Sequence, residues 1–385
     1  MARSGRAAAI PAGLAPRAAA PSRAASSGAG GGVPCAGATL ADLTRISTHP
    51  VSGANGSRAL YAEAASGGWV AWPGGDGVHL TPLDANDTPA GPDLVVSALE
   101  PYGLVVDGDL FLLASRAPDY MTFFRIGTDG SVLASVDLVG GGNHMTEGVE
   151  WFGEFARTGR LVSTGAGSFA AYFALHRRWP DGIGHQGDTL RLLDANGAPL
   201  GGGWGWGCSH SMDQLLTTSG ATLAPICISD CYPEKGIWFN HSQSMLIDDP
   251  SANCAGGYTT VLGGIAGVSD GFWITFGKQG QAGWDMQLAH LDTAGAVGSS
   301  IPLGASSTGQ VRLAAYDGGL LLGSFDGAAT TLERRDVAGT PDGAPEVISG
   351  LSLPFQDFTS LTTGEVAWAW ASGTSLQIAR VETCR

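Results

Sequence analysis

The chain has 385 residues, of which 60 are glycine and only 14% are charged, a composition that favours many short strands joined by glycine turns over helices. The formal net charge of −15 argues against a nucleic-acid-binding surface, which needs clustered lysine and arginine. No apolar run approaches the roughly 18 residues of a membrane-spanning helix, so we also expect no membrane span.

The first 34 residues differ in composition from the rest of the chain. They are dominated by Ala, Arg, Ser, Pro and Gly, and the first acidic residue is Asp42. They contain no clear apolar core of a secretory signal, and they cannot build a hydrophobic core. We therefore predict a disordered arm, a linker or an atypical export segment over residues 1–34, followed by a single domain over residues 35–385.

One unit recurs along that domain: two apolar strands, a third strand that ends on an acidic residue, a glycine turn and a fourth strand. The acidic positions assigned to the third strands are Asp84, Asp129, Asp194, Asp249, Asp292, Asp336 and Glu382. Their spacings are 45, 65, 55, 43, 44 and 46 residues. A four-stranded unit hides both faces only by stacking against further copies, which predicts a radial array.

The unit is clearest in its second and fifth copies. Their predicted strands are Tyr102–Asp107, Leu110–Ser115, Thr122–Ile126 and Val132–Leu138, and then Ile265–Val268, Phe272–Phe276, Met286–Leu291 and Ser299–Leu303. The last copy predicts three strands only, which are Asp357–Leu361, Glu365–Trp370 and Ser375–Glu382. A single strand, Thr39–Ile46, precedes the first complete copy, and we predict that it completes the last blade and closes the ring.

The repeat resembles the seven-bladed β-propellers over about residues 39–382. The resemblance implies an all-β ring of seven four-stranded antiparallel blades. The period is near that of the WD-repeat proteins, but neither their Gly-His…Trp-Asp signature nor the Ser-x-Asp-x-Gly-x-x-Trp phrase of sialidases recurs. Architecture alone does not establish function.

Six cysteines, an even number, favour three disulfides in an exported protein; they are Cys35, Cys208, Cys227, Cys231, Cys254 and Cys384. Cys35 and Cys384 flank the two strands that close the ring, so we predict that they pair. The pairing of the other four stays open. An alternative makes Cys208 a thiolate ligand or nucleophile beside His210. We expect a secreted or cell-envelope monomer, periplasmic or extracellular.

Two copies of the unit are longer than the others. We place their surplus in Arg177–Asp188 and Cys231–Asn240 and interpret both as loops between a second and a third strand. In a propeller these loops and the links between blades open on one face. Insertions are tolerated in loops, and binding groups are often presented there.

Four histidines fall in these segments. His185 and His241 are assigned to the two long loops, and His144 and His210 to the links into the third and fourth blades. Because neutral imidazole binds zinc and copper, we predict that these four form a metal site. His176, at the end of a neighbouring strand, could replace one of them. The alternative is that such histidines only tie blades together through backbone hydrogen bonds.

Other side chains near the same loops extend this prediction. Glu147 and Asp213 follow His144 and His210 by three residues each and are candidate catalytic or orienting groups. Trp179 and Trp238 are assigned to the loops as ligand contacts, whereas Trp204 and Trp206 suit packing. Four acidic residues could bind calcium, and they are Asp188, Asp230, Asp248 and Asp249.

We predict a binding protein that presents the loops of blades three and four to an extracellular glycan, peptide or protein ligand. The alternative is a metal-dependent enzyme, with copper or zinc held by the histidines of the same face. A third hypothesis is a scaffold with no small ligand. Binding ranks first because the sequence contains no complete catalytic motif.

Overall fold

The structure is a computed structural model that describes residues 37–56, 58–165, 167–241, 244–251, 254, 257–354 and 358–383. These residues form seven antiparallel sheets. The innermost strand of each sheet contacts the innermost strand of the next, and the last of them contacts the first. The ring is therefore closed, which confirms the predicted seven-bladed β-propeller. The predicted arm, residues 1–34, lies outside the described residues.

The described part opens with a helical turn, α1 (Leu40–Leu43), and strand β1 (Thr44–Pro50). Blade one follows with β2 (Leu60–Ala64), β3 (Gly67–Pro73), β4 (Val78–Leu83) and β5 (Leu94–Val96). Blade two contains β6 (Glu100–Asp107), β7 (Asp109–Ser115), β8 (Met121–Ile126) and β9 (Val132–Val139). Blade three contains β10 (Glu150–Trp151), β11 (Gly159–Gly165), β12 (Ser168–Arg178), β13 (Gly184–Asp194) and β14 (Trp204–Gly207).

Blade four contains β15 (Gln214–Ser219), β16 (Thr222–Ser229), β17 (Gly236–Phe239) and β18 (Ser244–Asp248). Blade five contains β19 (Thr260–Val268), β20 (Gly271–Gly280), β21 (Gly283–Asp292) and β22 (Val297–Ser306). Blade six contains β23 (Val311–Tyr316), β24 (Gly319–Phe325), β25 (Thr330–Arg335) and β26 (Glu346–Ile348). Blade seven contains β27 (Thr359–Ser360), β28 (Val366–Ser372) and β29 (Ser375–Val381), with β1 as its fourth strand.

The predicted ring closure is confirmed, but the closing strand begins and ends later in the chain than predicted. Strand β1 pairs antiparallel with β29 from Thr44↔Val381 to Pro50↔Ser375. The strand was predicted to begin at Thr39, and this was wrong. Thr39 and Asp42 form a capping box, in which each side chain accepts a hydrogen bond from the other residue's backbone amide, and this box starts α1 instead. Cys35 and Cys384 lie outside the described residues, so their disulfide stays a prediction.

A buried carboxylate joins the closing blade to blade one. Asp87, 1% exposed, lies between β4 and β5 and accepts hydrogen bonds from Arg380 of β29 at 2.7 and 2.8 Å. It also accepts one from Arg45 of β1 at 2.8 Å. Glu365 holds the remaining side of the Arg380 guanidinium at 2.9 Å. Both strands that close the ring are thus fixed to the first blade by charge-assisted hydrogen bonds.

The core lies between blades, as radial stacking requires. Between blades two and three, for example, Phe111 of β7, Phe123 of β8 and Phe169 of β12 pack ring against ring, with centroids 4.1–6.0 Å apart. These residues follow the two-residue alternation that the sequence shows. Within the described part no helix is long and apolar enough to cross a bilayer.

Candidate functional site

The topology defines two faces of the ring. In each blade the second-to-third-strand turn opens on the same face as the link to the next blade, and we call this the upper face. On blades three and four the upper face is formed by residues 140–158, 179–183, 208–213 and 230–235. We call these four segments the rim.

In blade three the extra length forms strand rather than loop. Strands β12 and β13 have 11 residues each and pair without interruption from Ser168↔Asp194 to Arg178↔Gly184. The turn between them is only residues 179–183. The prediction of a long loop at Arg177–Asp188 was therefore wrong, and His185 lies on β13 at the raised end of a rigid hairpin.

In blade four the predicted assignment of segments to the third and fourth strands was wrong. The phrase that ends on Asp248 and Asp249 forms the fourth strand, β18, and the third strand is the short β17. Trp238 therefore lies in a strand, and His241 follows the third strand instead of preceding it. The loop between β16 and β17 contains residues 230–235.

Three histidines adjoin one buried residue, Gln186, which is 1% exposed. His176 pairs with Gln186 across strands β12 and β13. His185 precedes it in the chain, and the backbone N–H of His210 donates to its carbonyl oxygen at 3.0 Å. The ring centroids of His185 and His210 are 6.5 Å apart. Histidines from blades three and four thus meet at the rim.

His210 is held on several sides. Its backbone has φ of 47°, an uncommon conformation for a residue other than glycine. The hydroxyl of Tyr258 donates to its carbonyl oxygen. Its Nδ1 lies 2.9 and 3.0 Å from the two carboxylate oxygens of Asp230, and Ser209 Oγ donates to the same carboxylate at 2.7 Å. Because a carboxylate only accepts, Nδ1 carries the proton and Nε2 remains directed away from Asp230.

His176 and His144 lie on the two sides of an aromatic stack. The ring of His144 stacks on Trp151 at 4.3 Å, and Trp151 stacks on His176 at 5.4 Å. Phe155 covers His176 from another direction at 4.9 Å. His176 is 1% exposed, and neither ring nitrogen has a hydrogen-bond partner among the described residues. Burial lowers its pKa to about 4, while Glu154 acts in the opposite direction, so the ring stays neutral.

The carboxylates that contact these histidines differ from the predicted ones. Asp230 contacts His210, and Asp119 lies 3.4 Å from His144 Nε2. Glu147 is exposed. Asp213 accepts hydrogen bonds from the Gln214 backbone at 2.9 Å and from Arg160 at 3.4 Å, and it lines a cavity of about 600 Å³ at the mouth of the central channel. Among the described residues, the carboxylates seen beside His210 and His144 are therefore Asp230 and Asp119.

His241 belongs to a different environment. Its Nε2 lies 3.1 Å from the carbonyl oxygen of Trp206, and its ring lies edge-on to Trp204 with centroids 5.3 Å apart. Burial lowers its pKa. The structure therefore places His144 and His210 on the rim, His176 and His185 on the adjoining strands of the hairpin, and His241 beside Trp204 and Trp206.

A second group lies beneath the rim. Ligand atoms of Asp188, Cys208 and Cys227 lie within 4.8 Å of one another and form the single three-residue cluster of metal-ligand type in the described part. The two sulfurs are bonded to each other, so Cys208 is not a free thiolate, and that alternative was wrong. Asp188 accepts from Tyr172 at 2.8 Å and from Trp204 at 2.9 Å, and complete burial raises its pKa to about 7.

Two disulfides fasten the region. Cys208 follows the last strand of blade three and pairs with Cys227 of β16, so this bond joins two blades. Cys231 pairs with Cys254, and the Cys254 backbone N–H donates to the Asp230 carbonyl oxygen at 2.8 Å. The prediction of two disulfides among these four cysteines is confirmed. Disulfides favour a location outside the cytoplasm.

The two tryptophans predicted to contact a ligand differ in exposure. Trp238 is only 8% exposed and packs with Tyr172 and Cys227 in the core between blades three and four, so the loop assignment was wrong. Trp179 lies in the tight turn of blade three, partly exposed. The guanidinium of Arg177 lies 5.0 Å from its ring centroid, and Trp206 meets it edge-on at 5.6 Å. Trp179 thus remains on the rim and Trp238 does not.

The predicted calcium carboxylates have separate partners. Asp188 and Asp230 bind the donors described above. Asp249 accepts from Ser251 and Thr259; burial alone would raise its pKa, but these hydrogen bonds lower it to about 2. Asp248 is exposed. Calcium binding stays a prediction.

The rim also carries exposed apolar side chains, which sequence reasoning missed. Five large hydrophobic residues are exposed on its four segments, and they are Met145 (72%), Phe155 (66%), Ile183 (55%), Tyr232 (50%) and Met212 (48%). They include every methionine and every aromatic residue among the exposed large hydrophobic residues of the described part. Single exposed apolar residues are ordinary, whereas contiguous apolar patches are typical of interaction surfaces.

The fold and the rim define a seven-bladed β-propeller with a histidine-rich, partly apolar upper face over blades three and four. No protein-family model matches the sequence, and no curated protein matches it. Similar solved structures include the WD40 domain of Toxoplasma gondii coronin, with 13% identity, 88% of this chain and 87% of that chain covered, and a TM-score of 0.48. Another is PQQ-bound aldose sugar dehydrogenase from Streptomyces coelicolor, with 11% identity, 88% and 99% covered, and a TM-score of 0.41.

Proposed function

We propose that this chain is a secreted or cell-envelope binding protein whose rim binds a polypeptide partner. The observation that carries the proposal is the set of exposed apolar side chains on the rim: Met145, Phe155, Ile183, Met212 and Tyr232. Burying such side chains on binding is favourable by roughly 25 cal/mol per Å² of apolar surface. Aromatic residues and methionine are also enriched at the centres of protein interfaces.

The side chains favour a polypeptide over a glycan. Sugar recognition uses flat aromatic faces, and of the two tryptophans considered for that role Trp238 is buried and Trp179 is covered in part by Arg177. The exposed groups are instead two flexible thioethers, an isoleucine, a phenylalanine and a tyrosine. Thioethers adapt to irregular apolar partners, which suits the side chains of a peptide.

The scaffold beneath the rim supports a preorganised face. The hairpin of β12 and β13 carries Ile183 at its tip, and the loop that carries Tyr232 is tied down by the Cys231–Cys254 disulfide. The segment that carries Met212 begins at Cys208, which is bonded to blade four. A face that is ordered before binding loses less conformational entropy when the partner arrives.

The test is selection from a random-peptide display library, with a glycan array probed in parallel. The rim variant Met145→Ser/Phe155→Ser/Tyr232→Ser is compared with a control, Val95→Ser/Val132→Ser/Val347→Ser. The control removes three valines that are 50–64% exposed on outer strands. We expect selected peptides to bind the rim variant at least tenfold more weakly and the control with unchanged affinity. Peptides that bind the rim variant as tightly as the parent, glycan binding that survives in it, or a failure to enrich any peptide would contradict the proposal.

A second candidate is the metal-dependent enzyme, with copper or zinc as its cofactor. One observation favours it, namely the His185 and His210 rings 6.5 Å apart with Asp230 behind His210. A zinc ion held there would polarise a bound carbonyl or water. The test is hydrolysis of ester and peptide model substrates by zinc-loaded protein and by His210→Ala. Zinc-bound protein without turnover contradicts the enzyme and leaves the binding proposal intact.

A further inference from the structure

The His185 and His210 imidazoles are close enough to share one ion. Imidazoles that bind one zinc at about 2.1 Å have ring centroids roughly 5–6 Å apart. The observed separation is 6.5 Å, and the side chains are 39% and 45% exposed. Rotation of the partly exposed His185 ring can shorten this separation while His210 keeps its contacts with Asp230.

The surroundings of His210 match those of a metal-binding histidine. Such a histidine usually donates its second ring N–H to a carboxylate, which fixes the ring and raises the basicity of the ligating nitrogen. Asp230 occupies that position at Nδ1, at 2.9 and 3.0 Å. The carboxylate is itself held by Ser209 Oγ, and the His210 backbone is fixed to Gln186 and Tyr258. Asp230 therefore occupies Nδ1, and Nε2 is the ring nitrogen that can bind a metal ion.

His176 is a separate feature of the same hairpin. It is 1% exposed, and its two ring nitrogens have no hydrogen-bond partner among the described residues. A buried polar group without a partner costs about 1–3 kcal/mol. His176 faces Gln186 across the β-ladder, and Gln186 also contacts His210 and adjoins His185. Because successive side chains of a strand point to opposite faces, His176 lies on the face of the hairpin opposite His185 and is not a ligand of the pair.

We propose that His185 and His210 bind a divalent transition-metal ion, Zn²⁺ or Cu²⁺, at the rim, with Asp230 as a positioning residue. Two imidazoles leave coordination positions open, so the site can accept water or a donor group of a bound ligand. The proposed site does not include His144, whose Nε2 lies 3.4 Å from Asp119, or His241, whose Nε2 lies 3.1 Å from the carbonyl oxygen of Trp206. The site does not depend on the apolar rim residues, so it can fail while the proposed function holds, and the reverse.

The experiment is isothermal titration of ZnCl₂ into untagged full-length protein that has been treated with chelator and desalted. The variants are His185→Ala, His210→Ala and Asp230→Asn. The control is His290→Ala, which removes a partly buried histidine of blade five that packs on Trp273. Circular dichroism and the thermal midpoint check that each variant is folded.

We expect one equivalent of zinc to bind the parent and the control with the same affinity. His185→Ala and His210→Ala each weaken binding at least tenfold, and Asp230→Asn weakens it about 10–100-fold. With Cu²⁺, electron paramagnetic resonance shows two imidazole nitrogens in the parent and one in either histidine variant. No zinc binding by the parent, or parent-like affinity in a His185→Ala/His210→Ala double variant, would overturn the proposal.

Discussion

Two seams between blades of this propeller are fastened by different chemistry. At the seam between blades seven and one, the buried Asp87 binds Arg380 and Arg45, and Glu365 takes the other side of Arg380. At the seam between blades three and four, a disulfide joins Cys208 to Cys227, and Asp188 lies beside it with a pKa raised to about 7 by burial. One seam uses paired charges, and the other uses a covalent bond and a buried acid whose pKa is raised to about 7.

The two seams differ in whether their polar and apolar groups are fully paired or covered. At the closing seam each named charge is matched by an opposite charge within 3 Å, which is what a purely structural joint requires. Above the other seam the protein leaves His176 buried without a hydrogen-bond partner in the described part, and it exposes Phe155 and Met145. Such costs are typical of functional sites. The first seam therefore has the features of a structural joint, and the second has features that support the proposed binding function.

The largest expected loss of stability comes from a substitution at the seam between blades seven and one. Asp87→Ala removes the carboxylate that Arg45 and Arg380 share, and removing one partner from a buried ion pair costs about 3–5 kcal/mol. Arg116→Ala is the control, because its pair with Asp137 is exposed on both sides and is worth no more than about 1 kcal/mol. Chemical denaturation measures both. Equal small losses in the two variants would show that Asp87 does not fasten the ring.

Asp188 is expected to make the stability of the fold depend on pH. Its pKa is raised to about 7, whereas an unfolded chain has the ordinary value of 3.8. Between these values the folded protein holds a proton that the unfolded chain has released, so stability falls as the pH rises from about 4 to 7. The total loss is on the order of 4 kcal/mol. Asp188→Asn should lack this slope in thermal midpoints measured from pH 5 to 8, and parallel profiles would contradict the assignment.

The inter-blade disulfide gives a comparable loss. Cys208→Ala/Cys227→Ala opens a loop of 19 residues, which costs about 3 kcal/mol, and both side chains are fully buried, so a cavity adds to the loss. Cys231→Ala/Cys254→Ala, with a separation of 23, is the matched control for loop closure alone. We expect the first pair to lower the denaturation midpoint more than the second. The reverse order would mean that the rim disulfide, and not the seam disulfide, holds the blades.

His176 is expected to have a smaller effect on stability, and in this case stability falls as the pH falls. Its pKa is lowered to about 4 from 6.5, so the unfolded chain takes up a proton first as the pH falls. Stability is therefore lost between about pH 6.5 and 4, by up to about 3 kcal/mol. His176→Phe keeps the stack with Trp151 and should remove this acid-side loss. An unchanged acid profile would show that His176 is not held neutral in the folded protein.

Sequence reasoning predicted the features that repeat locally along the chain. Apolar runs such as β7, alternation along β21 and an acidic residue at the end of most third strands predict blades and their number. The same reasoning placed Asp249 in a third strand because its apolar-then-acidic phrase looks identical in a fourth strand. Contacts between distant positions leave no such pattern. The pairing of His210 with Asp230, and of Asp87 with Arg380, depends on tertiary structure alone.

The most direct measurement is hydrogen–deuterium exchange with and without a peptide selected on the parent protein. If the rim is the binding face, amide protection increases in segments 140–158, 179–183, 208–213 and 230–235, and exchange elsewhere stays constant. Protection confined to the lower-face turns, such as residues 84–93 or 195–203, or to the outer strands β9 and β26, would contradict it.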